Sequence, residues 1–217
     1  MVETSKRPYD SRRRRARAEQ ERAATRQRVV AAATDLFLEQ GYNATTMNQI
    51  AQRAGVALQS VYTAGKSKAE LLHLVIDFAV AGDGQEVMLV ERPGFVAIAE
   101  EPDARRQVEM FADLITATMS RLAPVWATYR EAAAVDAKAA ANLLLAHKRR
   151  RQTFGEMIRM VPEHRLRHSY EKSADTMWAI GSIDVFLLQR SVLGWDADQH
   201  REWLRATLVD QLLESEV

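Results

Sequence analysis

Residues 28–72 read RVVAAATDLFLEQGYNATTMNQIAQRAGVALQSVYTAGKSKAELL, and the glycines at 41, 55 and 65 part this stretch into four amphipathic segments. In the first, Val29, Ala32, Ala33, Leu36 and Phe37 recur at helical spacing up to Gln40, and Gly41 followed by Tyr42 has the form of a glycine cap with its hydrophobic contact. Thr46 followed three residues later by Gln49 is a capping box, and Met47, Ile50, Ala51 and Ala54 give the short helix behind it one apolar face. Gly55 ends that helix, and Val56 restarts the pattern through Val61 and Tyr62 to Gly65. Two short helices joined by so brief a turn form a helix-turn-helix candidate. Ser67 and Glu70 make a second capping box, opening a longer helix through Leu71, Leu72, Val75, Phe78 and Ala79 to the Gly82-Asp83-Gly84 break.

The charge distribution singles out the same end of the chain. Residues 1–72 carry 13 Lys and Arg against 7 Asp and Glu, whereas the 217-residue chain as a whole is balanced at +1. A cationic module on an acidic body is an electrostatic footprint for nucleic acid or for an anionic membrane surface. Residues 1–21 combine the Arg12–Arg15 run with almost nothing apolar and are expected to be a basic disordered arm. No apolar stretch follows the arginines as a signal sequence would need, and no apolar run approaches a bilayer span, so a soluble cytoplasmic protein is expected. With no cysteine, disulfide scaffolds, thiol nucleophiles and cysteine-ligated metal sites are excluded.

Beyond Gly84 the pattern stays helical, with breaks at Pro93-Gly94, Pro102-Asp103, Pro124, Pro162 and Gly194-Trp195. Helices are expected near 103–121, 124–134, 137–160, 170–193 and 197–214, with 85–100 ambiguous, and no alternating strand pattern stands out.

Residues 28–72 resemble the amino-terminal DNA-binding domain of the tetracycline-repressor (TetR) family of bacterial transcription regulators. The resemblance rests on the Ala-rich first helix ending in Phe37 and Gly41-Tyr42, the Thr45-Thr46 pair, Ile50-Ala51, Ala54-Gly55-Val56, Tyr62, and Lys68 with Leu71. It implies an all-α fold, with a three-helix helix-turn-helix domain over residues 22–82 and a helical-bundle ligand-binding and dimerisation domain over 83–217. Where the family usually has Ser or Thr at the cap of its recognition helix this chain has Ala57, and where it usually has His-Phe it has Ala64-Gly65.

A helix presented by a short turn can enter the major groove while hydroxyls and lysines around it hold phosphates. Thr45, Thr46, Tyr62 and Lys68 are the phosphate-side candidates, with Thr46 and Lys68 at helix starts where free N–H groups favour an anion, and Lys66 stands with the base-reading candidates of the recognition helix. Leu58, Gln59, Ser60 and Thr63 lie away from the Val61 face, and Gln59 suits adenine while Leu58 suits a thymine methyl. In the body, Met110, Phe111, Leu114, Trp126, Tyr129 and Met157 are candidates to line a cavity for a small apolar effector. Trp178, Val185, Leu188 and Leu208, in the last two expected helices, are candidates for a homodimer interface.

The expected function is a sequence-specific regulator binding a double-stranded DNA operator, a repressor released by its effector, with an activator of the same fold as the alternative. A helical-bundle enzyme with an incidental basic start, and a membrane-surface protein held by its arginines, are the rivals from other classes. No phosphate loop, nucleophile elbow or dinucleotide glycine pattern is present, so no catalytic residue and no cofactor are assigned. His164 and His168 have chelating spacing but lack a third ligand and sit beside Arg165 and Arg167, so no metal is assigned. Lys148 to Arg151 reads as a solvated face.

Overall fold

The computed structural model describes residues 11–82 and 91–214, the side chains of 11 and 12 excepted. Ten α-helices stand among these residues: α1 (Ser11–Ala44), α2 (Met47–Ala54), α3 (Leu58–Ala64), α4 (Lys68–Ala81), α5 (Pro93–Glu100), α6 (Ala104–Val135), α7 (Ala137–Ile158), α8 (Tyr170–Ile180), α9 (Ile183–Val192) and α10 (Ala197–Leu212). The only pairing of extended backbone among the described residues is an isolated antiparallel bridge between Leu166 and Leu213. None of the described helices is long and apolar enough to cross a membrane.

Local sequence explains the first four helices. Gly41 adopts φ 76°, which interrupts helical geometry where the glycine cap was expected, and the turn beyond it is only loosely continuous with α1. Thr46 and Gln49 form the capping box in both directions, and Gly55 closes α2 in the left-handed conformation at φ 64°. Ala57 gives α3 no side-chain cap, as its methyl group dictates. Ser67 caps α4 through the Glu70 N–H.

Three expectations are corrected. Residues 11–21, expected as a disordered arm, are helical and continuous with α1; Arg, Ala, Glu and Gln are strong helix formers, and Arg17 pairs with Glu21 at 3.0 Å one turn away. Residues 1–10, the rest of the expected arm, lie outside the described residues. Pro124 does not end a helix, because α6 runs through it. An interior proline costs about 3 kcal/mol, and α6 offsets this by packing on α1, α4, α5, α7, α9 and α10, with Phe111, Ile115, Met119, Trp126 and Tyr129 all buried. Conversely, the expected 170–193 helix is two, because Ser182 turns its hydroxyl to the Val185 N–H and starts α9 afresh.

The amino-terminal helices are fastened to the body through several polar contacts. The Tyr42 hydroxyl donates to Asp136 Oδ2 at 2.7 Å, while Asp136 also caps α7 by accepting from the Lys138 and Ala139 N–H groups. These bonds, Tyr42 foremost, hold the Asp136 carboxyl below the usual carboxylate range. Thr128 donates to Phe37 O at 3.3 Å, Lys138 pairs with Glu70 at 2.7 Å, and Arg121 donates to Ala79 O and Val80 O at the end of α4. The apolar core is continuous across both parts of the chain.

Candidate nucleic-acid interface and effector cavity

α3 turns Val61 wholly inward and leaves Leu58, Gln59, Tyr62 and Thr63 outward, with Leu58 37% and Tyr62 42% exposed. An aromatic ring left that open on a seven-residue helix is not serving the core. Ser60 is half-buried, and the Thr63 hydroxyl donates to Gln59 O at 2.8 Å, leaving its lone pairs outward. Lys66 is exposed, its backbone N–H donating to Glu70 Oε2 at 3.0 Å. Thr46 is exposed at the start of α2, its hydroxyl shared between the Gln49 N–H and Gln49 Oε1. Together these side chains form one polar, partly aromatic edge built on α2 and α3.

Two candidates for this edge have different work. Thr45 is fully buried, and its hydroxyl donates toward Gly41 O at 2.8 Å and Leu36 O at 3.2 Å. It satisfies the carbonyls left open where Gly41 breaks α1, so it cannot meet a phosphate. Lys68 is half-buried, with Nζ donating to Tyr42 O at 2.7 Å and lying 4.2 Å from the Tyr42 ring. Its ammonium caps the end of α1, and burial draws its pKa downward. Thr45→Val is therefore expected to lower stability by about 1–3 kcal/mol, the cost of an unmet buried hydrogen bond, while DNA affinity measured well below the melting transition stays at the wild-type value. Chemical denaturation and a binding titration on the same variant check this.

The body contains a cavity of about 550 Å³ between α4, α6 and α7, with Arg26 of α1 and Phe95 of α5 also lining it. Its apolar walls include Ile76, Leu114, Met119, Trp126, Phe154 and Met157, and its polar ones His73, His147 and Arg150. Leu114, Trp126 and Met157 were expected there. Phe111 and Tyr129 instead are fully buried outside the lining, and Met110 packs against the core without reaching it. Tyr129 stands behind the wall, its hydroxyl 3.2 Å from Nδ1 of His73, which does face the cavity.

Sequence reading missed His73, His147 and Arg150. Arg150 belongs to the run expected as a solvated face, yet its Nη1 donates to Gly181 O at 2.9 Å and its guanidinium lies 4.9 Å from the Trp178 ring. Burial lowers its pKa to about 10, which leaves it charged at neutral pH. The available signal was the i, i+3 spacing of His147 and Arg150, which puts both on one face of α7.

Of the interface candidates, Leu188 is 61% exposed and forms with Val192 and Leu193 an open apolar surface at the end of α9, beside the half-buried Val185. Leu208 is fully buried within the protomer, and Trp178 packs against His147 and Arg150. Leu208 is corrected to intramolecular packing, because α10 spends its main apolar face on α6, while Trp178 stays half-buried in the protomer.

Comparison with known proteins bears on the first of these sites most directly. Residues 29–75 match the family of bacterial regulatory proteins described as the tetR family. Over 52 residues the chain is 42% identical to the HTH-type transcriptional regulator SrpR of Pseudomonas putida, a match that spans 24% of each protein. The chain thus aligns with about a quarter of this curated relative's length. Among solved structures, a protein from Saccharomonospora viridis in complex with choline aligns with a TM-score of 0.64 at 19% identity, over 88% of this chain and 98% of that one. NalD, the secondary repressor of the MexAB-OprM multidrug efflux pump in Pseudomonas aeruginosa, aligns with a TM-score of 0.61 at 19% identity, over 88% and 98%. At these identities the structural likeness establishes the fold.

Proposed function

From residues 29–75, a DNA-binding domain of the tetR family, we propose that the whole chain is a homodimeric transcriptional regulator of the bacterial cytoplasm that represses from a duplex operator and releases it when a small molecule enters the body. The observation that carries this reading is the outward set Leu58, Gln59, Tyr62 and Thr63 on α3, beside the exposed Thr46 at the start of α2. Gln59 and Leu58 meet base edges, and Thr46, Tyr62 and Lys66 meet phosphates, with the cationic helix Arg13–Arg17 adding sequence-independent attraction. The repressor sense is supported by NalD, whose fold this chain shares.

Effector control follows from where the cavity sits. α4 forms one of its walls, through Ile76, Asp77 and Val80, and the same helix begins at Lys68, which holds the end of α1, and follows directly on α3. An occupant that moves α4 changes the spacing of the two α3 helices in a dimer, which must stay about 34–36 Å apart to fit successive major grooves. Moving a population from 99:1 DNA-competent to 1:99 requires a preference of about 5.5 kcal/mol for the incompetent form, and DNA must weaken the ligand reciprocally.

Selection of bound fragments from a random duplex pool, followed by titration across salt, tests the reading. A defined two-half-site sequence is expected, with log K falling by about 0.9 for each phosphate neutralised. Gln59→Ala is expected to relax preference at one or two positions per half-site by about 1–3 kcal/mol each, leaving binding to random DNA unchanged. Equal losses on cognate and random DNA would remove Gln59 from base reading, and a pool that yields no preferred sequence would refute the regulator.

A further inference from the structure

His147 and Arg150 stand on the wall of a cavity whose surface is mainly apolar, and whose other basic lining residues are Arg26, His73, Arg92 and Arg149. The partners of Arg150 are all neutral: the Gly181 carbonyl and the rings of Trp178 and Phe154, at 4.9 and 5.5 Å. No carboxylate among the described residues stands within ion-pair distance of it. Asp184, whose charge it feels, pairs instead with Arg130 at 3.7 Å. The two carboxylates on the cavity wall are engaged as well, Asp77 lying 3.8 Å from His73 Nε2 and Glu156 accepting from Gln152 at 3.0 Å. A guanidinium withdrawn from water without a counter-charge is costly, and rings and a carbonyl solvate it without neutralising it. A half-buried charge of this kind, facing a void, marks a place where a ligand supplies the missing partner.

We infer that the cavity's ligand is an apolar acid, whose hydrophobic body fills the space between α4, α6 and α7 and whose compact anionic group pairs with Arg150, with His147 as a second contact. The inference deepens the effector reading above and rests on it for its regulatory meaning. The planar fork of Arg150 suits a carboxylate or sulfonate in two-point contact, while the same charge disfavours a cationic ligand. Trp126, whose ring meets His147 edge-on at 5.8 Å, and Met157 and Phe154 supply the apolar walls beside that group.

A matched pair of fluorescent probes tests this on the full chain: 8-anilinonaphthalene-1-sulfonate and N-phenyl-1-naphthylamine, the same body with and without the anion. The sulfonate is expected to bind at least about tenfold more tightly, and Arg150→Gln to remove about ten- to a hundredfold of its affinity while that of the neutral probe changes by less than about twofold. Arg150→Lys, which keeps the charge, is expected to retain part of the preference. A neutral probe that binds the wild type as tightly as the sulfonate would overturn the inference, as would a preference unchanged in Arg150→Gln. If Arg150→Gln does not melt cooperatively, the wild-type preference and Arg150→Lys decide. DNA release is scored separately. An Arg150-dependent preference without release upholds the acid site and refutes effector control; release by neutral or cationic compounds without that preference does the reverse.

Discussion

Leu188→Glu is expected to sediment as a monomer at concentrations where the wild type is a dimer. Leu188 is 61% exposed, Val192 69% and Leu193 57%, a contiguous apolar surface at the end of α9 that stays open among the described residues of the protomer. A glutamate at its centre would carry its charge into the joint and meet its own symmetry mate there, since a twofold interface presents the same patch from both sides. The functional consequence is larger than the loss of one contact. In the proposed dimer each α3 would hold one half-site and the second half-site would be an intramolecular event, so separation is expected to remove about 10²- to 10⁴-fold of operator affinity. Binding to an isolated half-site, measured with short duplexes, should be unaffected. A variant that remains dimeric would move the interface off α9, and one that is monomeric yet binds the full operator as before would show that the two half-sites are not linked.

The second large effect is at Gly65, which is buried between α3 and α4 in extended backbone at φ −147°, a conformation open to any residue. Space, and not backbone angle, demands glycine there. A Cβ at this position would fall 2.6 Å from Leu71 Cδ1, 3.0 Å from the Leu71 nitrogen and 3.1 Å from its Cα. Gly65→Ala is expected to cost about 1–3 kcal/mol by overpacking, and Gly65→Phe, the residue most of the family carries, more than that. The melting temperature should fall by about 2–4 °C for each kcal/mol. Part of the clash is with the Leu71 side chain, so Gly65→Ala should cost less in a Leu71→Ala background than alone. Additive losses in the double variant would locate the clash in the backbone only. Gly65→Ala without any loss would mean that Leu71 yields freely.

This position also shows how a departure from family pattern is resolved. The absence of an aromatic after Ala64 implies a gap beneath α3, and at that place Leu71, from the first turn of α4, fills the space. Leu71, itself part of the family pattern, lies six residues further along the chain, and spacing alone carries no sign that it stands against Gly65.

Local chemistry was legible wherever a few neighbouring residues decide the outcome. The Thr46-Gln49 box, the cap at Ser67, the left-handed Gly55 and the inward Val61 follow from turn chemistry and helical period, which act over one or two turns and so are written in the sequence. The outward face of Gln59 follows from the same period, whereas Tyr62, through which the apolar pattern runs, is left open only by the tertiary structure. Tertiary packing decided the rest. It carried α6 through Pro124, put Thr45 under Gly41 and set Lys68 on the end of α1. It also left Leu188 open while closing Leu208. Whether Phe111 or Phe154 meets empty space is a matter of what stands opposite, and so is whether Arg150 meets water or two rings. A hydrophobic stripe specifies that a face is buried; only the neighbouring helices, brought together from distant parts of the chain, specify against what.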